Sequence, residues 1–169
     1  MLIACVQSDV SFADPEANLE RAIEWMRQAS QTQAGGADLV VFPECMLSGY
    51  TFGSREQAWD SALEKTSPVF DRIARAAREW SQYVTIGFVE RCGDRLYNSA
   101  ALVGPEGVVA CYRKVHLPHL GVDRFVDRGD RPYQPDSIPI DGVGDVRVGL
   151  AICYDSSFPE PMRVLALCG

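Results

Sequence analysis

One stretch of this sequence, DLVVF at residues 38–42, constrains the fold more than any other, because four apolar residues follow one another without a polar interruption. A strand with one face in water alternates apolar and polar residues, whereas an unbroken apolar run is typical of a strand that is covered on both faces. Pro43 ends the run, because proline cannot donate a hydrogen bond to a neighbouring strand. The chain must therefore supply packed layers above and below this strand.

Amphipathic helices are expected to form one of these layers. Asp14-Pro15 and Ser67-Pro68 each combine an N-cap residue with proline at the first helical position, which predicts two helix starts. A further helix is predicted over residues 55–64. The two capped helices each gather residues on one face at the helical period: Leu19, Ala22, Ile23, Met26 and Ser30 in the first, and Phe70, Ile73, Ala74, Ala77 and Trp80 in the second.

Strand patterns occupy much of the rest of the chain. They are predicted at residues 2–7, 38–42, 83–90, 96–103, 108–114 and 146–152, and those between 83 and 114 form an antiparallel meander with turns at 92–94 and 104–107. A polar loop is predicted over residues 116–137 and a closing helix over 160–167. Crossover units combined with a meander favour a layered α/β fold.

Composition indicates one globular domain and excludes some classes of binding partner. Of the 169 residues, 47% are hydrophobic and 23% are charged, which is enough for one core. The net charge of −7 is dispersed, with no run of Lys or Arg, so binding to nucleic acid or to an anionic membrane is not expected. No apolar stretch approaches the ~18 residues of a membrane span. The first residues lack the basic region of a signal peptide, so a cytoplasmic location is expected.

The six cysteines are scattered and include no C-x-x-C pair, so free thiols in a reducing compartment are expected. A metal centre is not expected either. His116 and His119 have a ligand-like spacing, but Pro118 lies between them and no cluster of further ligands completes a zinc site.

Three chemically distinctive side chains follow predicted strands. Glu44 follows DLVVF, Lys114 follows VVACYR, and Cys153 follows VGLAI. In open α/β sheets, catalytic groups gather at the carboxyl ends of strands, so we expect these three to meet. Each also has an ordinary structural interpretation, because many cysteines are packing residues and most Lys and Glu are surface charges. Pro159 begins the closing helix, whose N-terminus would favour the thiolate of Cys153.

Three motifs, in order along the chain, resemble the nitrilase, or carbon-nitrogen hydrolase, superfamily. They are VVFPECMLSGY at residues 40–50, YRKVHLP at 112–118 and GLAICYDSSFPE at 149–160. The third motif resembles the amidase branch, including omega-amidase-like enzymes, more than the nitrile-cleaving members. The resemblance implies a four-layer αββα sandwich, of which residues 1–169 would form the N-terminal portion without the C-terminal strands and helices.

The resemblance also implies a reaction. It is hydrolysis of the C–N bond of a small linear amide or carbamoyl compound through a cysteine thioester, without a cofactor, with release of ammonia or an amine. Cys153 would be the nucleophile, Glu44 the general base and Lys114 the transition-state stabiliser, with the backbone N–H of Tyr154 as a second oxyanion donor. Complete members of the family commonly dimerise, so a homo-oligomer is expected.

The loop after Lys114 departs from the family pattern. The family usually carries a second glutamate there, whereas HLPHLGVDRFVDRGD contains none. Asp123 is the nearest carboxylate by position, and we predict that it turns toward Lys114, because a buried ammonium without a carboxylate tends to lose its proton. Asp127 and Asp130 are the fallback candidates.

Several further expectations remain open at this point. Cys153 could form a dyad with His116 or His119 in another kind of cysteine hydrolase. The substrate could be a nitrile. The chain could be an inactive or interacting fragment, because missing strands would leave an unpaired sheet edge and exposed apolar surface. Near the start of the closing helix, Glu160 and Arg163 are expected to pair and to support the turn that carries the cysteine.

Overall fold

The structure, a computed structural model, describes residues 1–33 and 35–169. The strands of its main sheet are β1 (Ile3–Cys5), β2 (Leu39–Val41), β3 (Tyr83–Cys92), β4 (Arg95–Gly104) and β5 (Gly107–Arg113). They lie side by side in this order. The first three strands are parallel, and β3, β4 and β5 are antiparallel, so a crossover half and a meander share one sheet as predicted.

The helices of the chain are α1 (Pro15–Ala29), α2 (Arg55–Asp60), α3 (Pro68–Glu79) and α4 (Pro159–Leu167). Both predicted caps are present. The Ala17 N–H donates to Asp14 Oδ1 at 3.0 Å, and the Val69 N–H donates to Ser67 Oγ at 3.4 Å. Each cap satisfies an amide that the first turn of a helix leaves without a partner. None of the helices in the described part of the chain combines the length and the hydropathy of a membrane-spanning segment.

One face of the sheet packs against α1 and α3. Val84, Ile86 and Phe88 alternate along β3, so their side chains share this face. They form one core with Leu19 of α1 and Ile73 of α3. The apolar faces predicted for the two helices are therefore the ones that cover the sheet.

A two-stranded hairpin covers part of the other face. Its strands are β6 (Asp136–Ile140) and β7 (Gly144–Val148), which pair antiparallel. Ile138 and Ile140 of β6 form a second core with Leu102 of β4 and Tyr112 of β5. The central strands are thus buried on both sides, as the DLVVF run requires.

Helix α4 lies on the outer side of the hairpin. The Leu165 side chain packs so closely on Gly149 that a Cβ there would lie 2.8 Å from it. Arg147 donates to the Cys168 carbonyl at 3.0 Å. The layers in order are helices, main sheet, hairpin and helix, which confirms the α/β class with an αββα arrangement.

The largest difference from the predicted elements lies between residues 136 and 152. β6 begins at the end of the stretch predicted as a loop, 116–137, and continues through residues 138–140, where no strand was predicted because Pro139 is atypical of a strand; Pro139 is exposed in a two-stranded sheet, which makes it tolerable. The strand predicted over 146–152 ends at Val148 instead, and residues 149–152 pair with no strand in the described part of the chain. Gly142 and Gly144, with φ of +73° and +97°, form the tight turn that creates the hairpin.

Helix α2 is shorter than predicted, ending at Asp60 rather than at residue 64. The cause is Leu63, whose backbone leaves the helix to bridge to β3: its N–H donates to the Val89 carbonyl, and its carbonyl accepts from the Arg91 N–H, each at 2.9 Å. Pairing with the sheet therefore overrides the local helical pattern.

Candidate active site

Glu44 follows β2 on a tight loop that lies directly against β3. Cys45 has φ of +52°, which is uncommon for a residue other than glycine. Gly87 of β3 makes the close approach possible, because a Cβ there would lie 2.4 Å from the Cys45 nitrogen. The Leu47 N–H donates to the Gly87 carbonyl at 3.0 Å. The loop that carries Glu44 is thus held on the sheet.

Lys114 follows β5 directly, and its side chain is fully buried. Its Nζ donates to Glu44 Oε1 and to Asp123 Oδ2, each at 2.7 Å. Burial alone would lower the pKa of Lys114, but hydrogen bonds and charge from Asp123 and Glu44 outweigh it and raise the pKa. Lys114 is therefore a charged ammonium between two carboxylates.

A buried amide joins those two carboxylates. Asn98 Nδ2 donates to Glu44 Oε1 at 2.7 Å and to Asp123 Oδ1 at 2.8 Å. The Tyr50 hydroxyl donates to Asp123 Oδ2 at 2.9 Å. We call Glu44, Tyr50, Asn98, Lys114 and Asp123 the buried cluster. Asp123 lies beside Lys114, at the position expected from the sequence despite its shorter side chain.

A short 3-10 helix, Gly121–Arg124, brings Asp123 within reach of Lys114. The Val122 N–H donates to the Tyr50 carbonyl at 2.7 Å. Gly121, with φ of +49°, lies so close to Tyr50 that a Cβ would collide with its ring. These contacts hold the backbone of the 3-10 helix against Tyr50, next to the buried cluster.

The fallback carboxylates face other partners. Asp127 pairs with Arg55 at 3.0 Å and accepts from the Leu96 N–H at 3.0 Å. Asp130 pairs with Arg113 at 3.0 Å. Neither of them contacts Lys114.

Sequence reasoning missed Asn98 and Tyr50. Asn98 stands within LYNSAALV, a strand buried along most of its length, and a buried amide requires hydrogen-bond partners. That position could have indicated a polar cluster. For Tyr50, no property of the residue alone pointed to Asp123.

Cys153 opens a 3-10 turn, Cys153–Ser157, between the hairpin and α4. Its φ is +45°, so the backbone adopts a conformation that favours glycine. The residue is exposed. With Phe42, Glu44, Gly87 and Ile152, it lines a cavity of about 120 Å³ over the main sheet. Glu44 therefore belongs both to the buried cluster and to the cavity that Cys153 borders.

The thiol of Cys153 is a weaker acid than expected. Desolvation and the negative charge of Glu44 raise its pKa, and the ammonium of Lys114 opposes them only in part. The predicted preference for thiolate at a helix N-terminus is therefore wrong in direction. At neutral pH the sulfur carries its proton, so a reaction at this atom requires a base.

The alternative dyad with histidine finds no support. His116 Nδ1 lies 2.9 Å from Asp155 Oδ1, and the ring stacks on Phe158 with centroids 4.2 Å apart. Asp155 is thus an orienting carboxylate that sequence reasoning did not find. Among the described residues, however, no hydrogen bond joins His116 or the exposed His119 to Cys153.

Two expectations about the third motif have different outcomes. Glu160 and Arg163 are both exposed on α4 and form no ion pair, so the predicted pairing is wrong. The two residues are one helical turn apart, but both side chains stay in contact with solvent. Tyr154 follows Cys153 in the turn, and its ring packs edge-on against Phe158 at 5.2 Å.

All six cysteines are free, as expected. Cys45 is completely buried, and its Sγ lies 3.6 Å from Asn98 Oδ1. Burial raises the pKa of that thiol well above its usual value. An inaccessible, protonated thiol is a packing residue beside the buried cluster.

Comparisons with known proteins agree with the three motifs. The carbon-nitrogen hydrolase family model matches residues 2–169. A nitrilase of Pyrococcus abyssi is 36% identical over 172 residues, which cover 99% of this chain and 61% of that protein. An (R)-stereoselective amidase of Pseudomonas sp is 37% identical over 171 residues, which cover 100% of this chain and 57% of that protein. The chain thus spans less than two thirds of the length of either relative.

A solved structure shares the fold. The carbon-nitrogen hydrolase from Helicobacter pylori G27 matches with a TM-score of 0.83 at 23% identity, over 100% of this chain and 56% of that one. Because the family model also matches nearly every residue, the chain belongs to the carbon-nitrogen hydrolase family.

Proposed function

We propose that this chain carries the catalytic residues of an amidase, which hydrolyses the C–N bond of a small linear amide or carbamoyl compound through a thioester on Cys153. The observation that supports this most directly is the Lys114 ammonium, held 2.7 Å from both Glu44 and Asp123. Glu44 borders the same cavity as Cys153. A surface lysine and a packing cysteine would need no such arrangement.

Glu44 acts first as general base. Because the thiol is protonated at neutral pH, Glu44 takes the proton from Sγ while the sulfur attacks the carbonyl carbon of the amide. Proton transfer of this kind is typically worth about 10²–10⁴ in rate. The product of this step is a tetrahedral adduct that carries an oxyanion.

Lys114 stabilises the oxyanion. An ammonium has three hydrogens, and Glu44 and Asp123 occupy two of them, which leaves one for the substrate oxygen. The backbone N–H of Tyr154 is the second donor. Loss of one such donor typically costs on the order of 10²–10³ in rate.

Glu44 then completes both half-reactions. It returns its proton to the leaving nitrogen as the C–N bond breaks, which releases ammonia or an amine and leaves the acyl group on Cys153. It next takes a proton from water, whose oxygen attacks the thioester. As the C–S bond breaks, the thiol regains its proton and a carboxylic acid leaves.

The test is ammonia release from a panel of small linear amides, carbamoyl compounds and the nitriles that match each amide. We expect activity with amides, none with Cys153→Ala, and full activity with Cys5→Ala, which removes an exposed cysteine on β1. Turnover that survives Cys153→Ala would refute the proposal.

Nitrile hydrolysis is the second candidate activity, and the name of the Pyrococcus relative favours it. Each nitrile of the panel is compared with its own amide, so that the acyl group is the same. Faster ammonia release from the nitrile would replace the amidase proposal by this one.

A non-catalytic role as an interacting fragment is the third candidate. Exposed apolar side chains on α4, with Leu167 76% exposed, and the free edge of β1 in the described chain favour association with another copy. Sedimentation of the chain at low concentration, beside the ammonia assay, separates the outcomes. Association without turnover would favour this role, and a monomeric, active chain would contradict it.

A further inference from the structure

Asp155 is a buried carboxylate that the proposed chemistry does not use. Its side chain is completely buried, two residues after Cys153. A carboxylate in such a place requires partners for its charge. Its pKa is nevertheless lowered, because hydrogen bonds to the ionised form outweigh the opposing effect of burial. The group is therefore a buried anion with a specific set of donors.

The two oxygens of Asp155 bind different parts of the chain. Oδ2 accepts from the Ile152 N–H at 3.0 Å and from the Tyr112 hydroxyl at 2.7 Å. Oδ1 accepts from the His116 N–H at 3.0 Å and from the Tyr133 hydroxyl at 2.9 Å, and it lies 2.9 Å from His116 Nδ1. Ile152 precedes Cys153, and His116 lies two residues after Lys114. The Asp155 carboxylate thus links the turn that carries the Cys153 thiol to the segment at the end of β5 that carries Lys114.

The turn needs such a restraint. Cys153 has φ of +45°, and this left-handed conformation is unfavourable for a residue other than glycine unless the surrounding structure holds it. The residue is exposed, so close packing does not hold it in place. Asp155 lies in the same turn as Cys153 and accepts hydrogen bonds from the Ile152 N–H, which precedes Cys153, and from Tyr112 of β5 and the His116 N–H. These hydrogen bonds fix the backbone before and after Cys153.

We propose that Asp155 is a positioning residue, which holds the Cys153 turn against the end of β5 so that the thiol stays at the cavity that Glu44 borders. The proposal rests on the proposed function for the role of Cys153 as nucleophile. It assigns to the third motif a task distinct from nucleophilic attack, and it assigns to His116 the role of a donor to Asp155.

Asparagine cannot take over this role. Each oxygen of Asp155 accepts one backbone N–H, from Ile152 or from His116. An amide has only one oxygen, so its NH₂ group must face one of those N–H donors in either orientation. Asp155→Asn therefore loses one of the two attachments while keeping the size of the side chain.

The test measures the reactivity of individual cysteines with iodoacetamide over a pH series, by mass spectrometry of the peptides. Alkylation of buried Cys45 reports global unfolding in the same sample, and alkylation of exposed Cys5 reports how fast the reagent reacts with an accessible thiol at each pH. Asp145→Asn, an exposed position on β7, is the matched control. For variants that release ammonia from an amide, kcat and KM are measured separately.

With Asp155→Asn, we expect the pH midpoint of Cys153 alkylation to fall toward the ordinary thiol range, because the sulfur leaves the carboxylate of Glu44. Cys45 should stay protected. Since misplacement by 1 Å can cost about 10²-fold in rate, we expect kcat to fall by about that factor with little change in KM. Asp145→Asn should match the unchanged protein.

An unchanged Cys153 profile in Asp155→Asn, with Cys45 protected, would overturn the proposal. If Cys45 becomes reactive, Tyr133→Phe decides, because it removes one donor to Asp155 and keeps the ring. We expect a smaller shift in the same direction, whereas Tyr83→Phe on β3 should show none; no shift with Tyr133→Phe would also overturn the proposal. Turnover that survives Cys153→Ala would instead refute the proposed function, and the alkylation profiles would still report on the turn.

Discussion

The two sides of the candidate site are held in opposite ways. Lys114 and Asp123 have fully buried side chains, and they come from different segments that meet on the main sheet. Cys153 lies on an exposed turn with a left-handed backbone, at the margin of the small hairpin. The buried cluster is maintained by charge pairing, whereas the turn is maintained by hydrogen bonds from neighbours to Asp155.

The difference follows from what each side must do. The side chains of Lys114 and Asp123 are removed from water and lose solvation, so each is stable only with its charged partner present. A nucleophile must instead reach a substrate, and it can afford less burial. Glu44 is the link between the two sides, since it binds Lys114 and borders the cavity of Cys153. We therefore expect substitutions in the buried cluster to lower the stability of the fold strongly, and substitutions around the Cys153 turn to have small, local effects.

The largest expected effect is that of Lys114→Met. The variant keeps a long side chain but leaves Glu44 and Asp123 without a cation, and breaking a buried pair costs about 3–5 kcal/mol. Urea unfolding measures the loss. Lys65→Met, at an exposed position, is the matched control and should change stability by less than about 0.5 kcal/mol. Equal stability of the two variants would contradict the account of the buried cluster.

Alkaline pH should remove much of the same stabilisation. The pKa of Lys114 is raised above its usual value of 10.5, so its contribution is complete below that value and is lost as the pH rises through the raised one. We therefore expect the difference in unfolding free energy between the unchanged protein and Lys114→Met to narrow above pH 10.5. A constant difference across this range would mean that the ammonium charge is not what stabilises the cluster.

Asp123→Asn should have an intermediate effect. Lys114 keeps Glu44, but the new NH₂ group must face one of the donors that Asp123 accepts from, Tyr50, Asn98 or Lys114. A buried donor without an acceptor costs about 1–3 kcal/mol. Urea unfolding and the ammonia assay should both show a loss. Unchanged turnover would show that Asp123 does not replace the second glutamate of the family.

The smallest expected difference concerns local opening of the hairpin. β3 and β4 have strand neighbours on both sides, whereas β6 and β7 pair only with each other in the described chain. Hydrogen exchange measured by mass spectrometry should therefore be roughly tenfold or more faster in peptides of β6 and β7 than in those of β3 and β4. Equal protection would mean that the hairpin is as firmly held as the main sheet.

The parts of the molecule with a strong local pattern could be predicted from the sequence. The meander between residues 83 and 114 has long apolar runs and clear turns, and α1 and α3 have both caps and periodic faces. Glu44, Lys114 and Cys153 were recognisable because each polar or reactive side chain follows a predicted strand. The resemblance of the three motifs then gave them roles.

The remaining features depend on contacts between distant segments. β6 is short and contains Pro139, so only its pairing with β7 identifies it as a strand. The expectation of a Cys153 thiolate considered the nearby helix alone, whereas desolvation of the thiol and the carboxylate of Glu44, which comes from a distant segment, raise its pKa. The donors to Asp155 come from β5 and from the segment after it, which no local pattern connects to the third motif.

Capture of the acyl group on Cys153 tests the central claim most directly. The chain is mixed with an amide that it turns over, quenched in acid, and its peptides are analysed by mass spectrometry. We predict that the mass of the acyl group is added to the Cys153 peptide, that hydroxylamine removes it, and that the peptides of the other five cysteines stay unmodified. Ammonia release with Cys153 unmodified throughout, or an acyl group on a different residue, would contradict the account.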